Sequence, residues 1–146
     1  MKTFSLKPKD INRKWFLLDA AEAPLGRLAT LAAGLLIGKG KTSVTPHIDN
    51  GDFVVVINAA DLVVTGQKRQ KKVFYRHSGY PGGLKAQSLQ TALDVNPAAV
   101  VQKAVRGMLP VNKLRDGRLA RLKVYTGPEH NHAAQQPQAL NFKEKI

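Results

Sequence analysis

Phe53-Val54-Val55-Val56-Ile57 is an unbroken apolar run, mostly β-branched, set between Gly51 and Asn58. No other segment constrains the fold as much. A strand with water on one face alternates apolar and polar residues; this one does not, so it reads as a central strand covered on both faces. The 146 residues suffice for one domain with a core around it.

The flanking segments supply layers. Trp15 to Leu18 is a short apolar run ending at Asp19, read as a second buried strand. A helix follows, with Pro24 in its first turn, an apolar face at Leu25, Leu28, Ala32, Leu35 and Leu36, and Gly38 and Gly40 to end it. Leu62–Thr65 reads as a short extension and Lys72–Tyr75 as a further strand. Residues 78–85 are too rich in Gly and Pro for regular structure. A second helix starts with Asn96 as cap and Pro97 in the first turn. Its expected apolar face is Val101, Ala104, Val105 and Met108, and Pro110 stops it. Residues 111–118 read as a basic connection, and Leu119–Tyr125 alternates as a half-exposed strand. The order of elements predicts an α/β fold: a single three-layer domain with a mainly parallel sheet between helices. Residues 1–14 read as a basic N-terminal arm and 127–146 as an irregular C-terminal tail, within one domain spanning 1–146.

Charge then narrows function. Lys and Arg number 23 against 10 Asp and Glu, a net +13 that opposes compaction unless a polyanion is bound. Residues 66–85, GQKRQKKVFYRHSGYPGGLK, concentrate it: six Lys or Arg, no acid, three aromatics and four glycines. Cations neutralise phosphates, rings offer stacking faces and glycines permit close backbone approach, a combination suited to a nucleic-acid backbone. The candidate contacts here are Lys68, Arg69, Lys71, Lys72, Tyr75, Arg76, Tyr80, Gly82, Gly83 and Lys85. His77 reads equally as an RNA contact or a structural hydrogen-bonding group. Lys39 and Lys41 are candidates where glycines end the first helix. Lys103 and Arg106 share a face of the second helix, and Lys113, Arg115, Arg118 and Arg121 follow on the basic stretch.

Other chemistries fit poorly. The chain has no cysteine, which excludes disulfides, thiolate catalysis and thiolate zinc sites, and favours the cytoplasm. Residues 1–14 lack the apolar core of a secretory signal, and no apolar stretch approaches the roughly 20 residues of a membrane span. Gly34–Thr42, GLLIGKGKT, falls one residue outside the spacing of a phosphate-binding loop and ends a helix instead of opening one. His130 and His132 form only a local pair, and a metal site needs more; hydrogen bonding to RNA or backbone is the expected role, with Gln135 beside them. Asp49 and Asp52 flank Asn50-Gly51 and read as turn chemistry before a strand, not as an acid–base pair. Arg27, early in the first helix, opposes the helix dipole and hints at an external anion. Trp15 reads as core. Neither catalysis, a cofactor nor a metal is expected. An enzyme with a nucleotide-binding domain and a basic protein of anionic membranes are the rivals. The first lacks a catalytic constellation, and the second lacks a basic amphipathic helix with aromatic anchors.

Several blocks occur in a telling order. They are WFLLDA at 15–20, LGRLAT at 25–30, GK at 38–39, TPHIDNGDFVVVINA at 45–59, TG at 65–66 and HSGYPGGLK at 77–85. AVRGMLP at 104–110 and LKVYTGPEHNHAAQQP at 122–137 follow. The series resembles the bacterial ribosomal protein L13 family, uL13, over about residues 13–140. The resemblance implies one α/β domain with a parallel four-stranded sheet, no catalytic activity, binding to large-subunit ribosomal RNA, a role in early subunit assembly, and residence in the cytoplasm on the large subunit. Neighbouring large-subunit proteins are implied partners, and messenger RNA is a further one open to a shape-reading protein. It directs attention to the segments holding Tyr75, Arg76, His77, Tyr80, Gly82, Gly83 and Lys85, and His130, His132 and Gln135. Two places depart from the family pattern: Leu114 is followed by Arg115-Asp116-Gly117 where Leu-Gly-Arg is usual, and Asn131 stands where the family has proline between two histidines.

Overall fold

In the computed structural model, residues 4–142 are described; the outermost residues of the arm (1–3) and tail (143–146) lie outside them. The sheet has four strands, all parallel: β1 (Trp15–Asp19), β2 (Phe53–Ile57), β5 (Leu122–Val124) and β6 (Gln138–Ala139), in spatial order β5-β2-β1-β6. The β-branched run takes a central place, as expected. Val54, Val55 and Val56 are fully buried, each worth on the order of 1.5–3 kcal/mol in transfer free energy.

Strand alternation assigns the two faces. Leu18, Val54, Val56 and Leu122 share one core with Leu28, Ala32 and Leu36 of α1 (Leu25–Ile37) and Val101 and Val105 of α4 (Pro97–Met108). The other face carries Trp15, Phe53 and Tyr125. Trp15 stacks on Phe53 at 4.3 Å, and His132 of the C-terminal segment packs against Trp15 at 4.9 Å. Trp15 is therefore a half-buried platform under the tail. Gly38 closes α1 in the left-handed region (φ 83°), its amide bonded to the carbonyls of Gly34 and Leu35. A Cβ there would lie 2.9 Å from the Asn50 carbonyl oxygen, so the position needs glycine twice over. Asn96 caps α4 through the amide of Ala99 at 3.0 Å.

Four sequence expectations need correcting, and one helix was not expected. Residues 78–85 are not wholly irregular: β3 (Val73–His77) and β4 (Leu84–Ser88) form an antiparallel hairpin, and 84–85 belong to its second strand. The strand expected at Lys72–Tyr75 is borne out as β3, but β4 mixes polar and apolar residues with little contrast, so periodicity misses it. A helix α3 (Leu89–Val95) follows, capped by the Ser88 hydroxyl, and it had no expectation at all. Residues 115–120 form helix α5 (Arg115–Ala120), so the last strand starts at Leu122, not Leu119. The α4 face is Val100, Val101, Ala104 and Val105, while Met108 is 43% exposed. The tail is not irregular throughout: β6 joins β1 at the sheet edge, the Leu140 amide bonds the Leu17 carbonyl, and Phe142 enters the core. The arm is likewise tied down, with Leu6 buried and the Lys14 amide bonded to Asp52.

Candidate nucleic-acid interface

The hairpin forms its own two-stranded sheet, with α2 (Lys68–Lys71) leading into it. Two strands alone are marginal in water. This pair is anchored at its base, where the Leu89 amide bonds the Lys72 carbonyl at 2.8 Å and Phe74 packs against the main core. From Gly66 through Ser88 the chain has no acid.

Register sets its faces. Arg76 lies directly opposite Lys85, and both are exposed. Like charges so placed repel, and a polyanion relieves that repulsion. Tyr75 (66% exposed), His77 and Leu84 (60%) occupy the other face. The tip is compact. Gly79 (φ 89°) and Gly82 (φ 71°) are left-handed, and the Gly83 amide bonds the Tyr80 carbonyl at 2.9 Å. A side chain at Gly83 would collide with the Ser78 hydroxyl. This turn leaves the Tyr80 ring 76% exposed at the end of the hairpin. The Gly79 amide donates to His77 Nδ1 at 2.9 Å. That nitrogen is thus the acceptor, and Nε2 carries the proton outward, where it can donate to a phosphate oxygen. His77 accordingly has the structural bond and keeps a free donor.

Cations extend from the hairpin base. Lys68 reaches Thr65 Oγ1 at 3.4 Å at an exposed surface, and Arg69 reaches the Leu62 carbonyl at 3.4 Å in a part-buried contact, both long and weak. Lys72 and Lys103 converge on the Phe74 ring, their ammonium nitrogens 5.4 and 4.0 Å from its centroid. Lys71, Arg106, Lys39 and Lys113 are exposed.

Three candidates are turned inward. Arg121 is 7% exposed, paired with both Asp49 oxygens and bonded through Nη2 to the Leu36 carbonyl at 3.1 Å. It thereby satisfies an orphan carbonyl at the C-terminus of α1, where a cation is favoured. Arg118 (4% exposed) approaches the same carboxylate at 3.4 Å. Burial pushes the Asp49 carboxyl up. The bonds and charge of Arg121, the Gly51 amide and the charge of Arg118 together outweigh that, holding it below the usual carboxylate range. Lys41 pairs with Asp52 at 2.6 Å and donates to the carbonyls of Asn12 and Asn50. These three side chains are occupied by the fold, which corrects their reading as phosphate contacts. The Asp49 turn bond to Gly51 is present at 3.3 Å, but sequence reading missed the ion pairs. Arg115 is half-buried beside them.

The C-terminal candidates form a second cluster. The His132 amide donates to His130 Nδ1 at 3.2 Å, and both rings contact Tyr125. Gln135 is exposed in a short 3-10 turn. No group of three or more potential metal ligands occurs among the described residues, and no helix there is long and apolar enough to cross a membrane.

Comparison with known proteins gives the family. The family model of ribosomal protein L13 matches residues 13–131. A protein of Kineococcus radiotolerans is 56% identical over 144 residues, covering 99% of this chain and 98% of its own. One from Lawsonia intracellularis is 55% identical over 142 residues (97% and 99%), and one from Clostridioides difficile 52% over 143 (98% and 100%). Each bears the name large ribosomal subunit protein uL13.

Proposed function

The chain belongs to the ribosomal protein L13 family, and we propose that it is a structural constituent of the large ribosomal subunit that binds folded ribosomal RNA through the β3–β4 hairpin. The observation that carries this is the hairpin itself: a projecting, acid-free element with Arg76 opposite Lys85 and Tyr80 exposed at a glycine-tight tip. Lys68, Arg69, Lys71, Lys72, Arg76 and Lys85 neutralise phosphates. His77 Nε2 donates to one, and Tyr80 stacks on an accessible base. Recognition is by shape, because side chains cannot read an A-form major groove. Gly82 and Gly83 contribute by keeping the tip thin. The C-terminal His130, His132 and Gln135 provide a second contact, and Lys39, Lys103, Arg106, Lys113 and Arg115 add charge around them. The role is architectural, not catalytic, and early incorporation follows from holding RNA helices together before later proteins join.

The test is sedimentation of a cell lysate on a sucrose gradient. The chain is expected at one copy per large subunit after a moderate salt wash. A variant with residues 78–83 replaced by a two-residue turn should be depleted from that peak and from its precursors. Recovery of the unaltered chain only at the top of the gradient would overturn the reading.

A further inference from the structure

Between the base of the hairpin and the main domain lies a cavity of about 550 Å³. Leu25, Val64, Phe74, Leu89, Val100 and Met108 supply apolar walls, and Lys68, Lys72 and Lys103 stand around them. The size is that of a small-ligand pocket. None of the three ammonium groups meets a carboxylate among the described residues. Lys72 and Lys103 instead share the ring of Phe74, an arrangement that leaves two like charges close together.

Two further features favour an anion with a planar apolar part. Pro24 gives α1 no side-chain cap, and Leu28 is the first residue of the helix whose amide finds a helical carbonyl. The amides of Gly26 and Arg27 are therefore open, and Gly26 lines the cavity. Gly107, on the opposite wall, has nothing within 4 Å of where a Cβ would be, so the space beside it is empty. The polar side chains lining the cavity are three ammonium groups and the Thr65 hydroxyl. A neutral peptide leaves the crowded ammonium charges uncompensated. A nucleotide brings an anionic phosphate for the lysine rim and a flat base for the apolar walls.

We propose that this cavity receives an unpaired nucleotide of the bound RNA, its base among the apolar walls and its phosphate on the lysine rim. The inference rests on the RNA-binding reading above. It adds a specific pocket, on the side of the hairpin away from Tyr80, to a surface that otherwise reads only shape.

The experiment uses the full chain and deproteinised large-subunit ribosomal RNA. Affinity is measured against salt, and Met108 oxidation by dilute peroxide serves as a footprint, since that side chain lines the cavity and is accessible. In the unaltered chain RNA should slow Met108 oxidation about tenfold. Gly107→Leu, which fills the space without changing charge, should weaken binding about tenfold and leave the salt slope unchanged. Lys103→Gln should weaken binding and lower that slope by about one. If RNA binds tightly but Met108 oxidises at the free rate and Gly107→Leu binds normally, the pocket is refuted and the hairpin reading stands. If Met108 is protected only in assembled subunits, a neighbouring protein fills the cavity and the proposal fails. Absence of any RNA binding by the unaltered chain defeats both readings.

Discussion

Arg121 and Arg76 carry the same guanidinium into opposite surroundings. Arg121 is buried, holds Asp49 with two bonds and closes the end of α1. Arg76 is exposed, has no acidic partner among the described residues and faces Lys85 across a two-stranded sheet. One arginine holds the fold together; the other adds repulsion to it. The difference lies in where the 10 acids are. Asp49 and Asp52 gather Arg118, Arg121 and Lys41 around the junction of α1, α5 and β2. The hairpin has none. A chain of net +13 has few acids to distribute, so the ones that are buried mark cations in structural service, and the acid-free region marks cations left for a partner.

The largest effect should come from breaking the buried side. Asp49→Asn leaves two arginines buried without their counter-charge and is expected to cost about 3 kcal/mol of stability at neutral pH, read by urea unfolding. The same pair predicts acid sensitivity. The Asp49 carboxyl is held below its usual value in the folded chain, so its contribution is complete above the unfolded value of about 4 and is lost as pH falls through the folded one. The unaltered chain should lose stability on acidification down to that range, and the Asp49→Asn variant should lack that part of the slope. Equal slopes in the two proteins would show that Asp49 is not the group responsible.

The two central strands were legible because β1 and β2 carry continuous apolar runs, and α1 and α4 because proline, asparagine and glycine mark their ends; the two-residue edge strand β6 has no such signal. The Asp49–Arg121 pair was not legible, because its partners are 72 residues apart and nothing local distinguishes a paired arginine from a free one. The one available signal was the scarcity of acids. The alternation read across Leu119–Tyr125 found the strand but placed its start three residues early. Helix α5 ends at Ala120, so Leu119 is helical and the strand holds only three residues. At the hairpin, the strand expected at Lys72–Tyr75 is there as β3, shifted to Val73–His77, but nothing in the polar run Leu84–Ser88 signalled its partner. The glycines at 79, 82 and 83 do lie outside regular structure, as read, and the pairing of the strands on either side makes them a tight turn.

A middle-sized effect belongs to the exposed side. Tyr80→Ala removes a ring that stands 76% exposed, and should weaken binding to large-subunit RNA by roughly tenfold, within the 1–3 kcal/mol of a base–aromatic stack. Its unfolding curve should not move. Gly82→Val forces a β-branched residue into the left-handed region and should weaken RNA binding similarly by distorting the tip. If either substitution lowers stability as much as Asp49→Asn, the hairpin is part of the folding core and the contrast between the regions collapses.

The smallest effect is the most discriminating, because its two signs differ. Lys85→Gln removes a like-charge pair across the strands and should raise stability by about 0.5 kcal/mol. The same change removes a phosphate partner, so RNA affinity should fall and the salt slope drop by about one. Stability and binding then move in opposite directions at a single exposed residue. A cation kept for the fold, such as Arg121, would lose stability when neutralised. A cation with no role would change neither quantity. Only a residue whose cost to the free protein is offset in the complex gains stability and loses affinity together, and chemical unfolding beside a salt titration of RNA binding measures both.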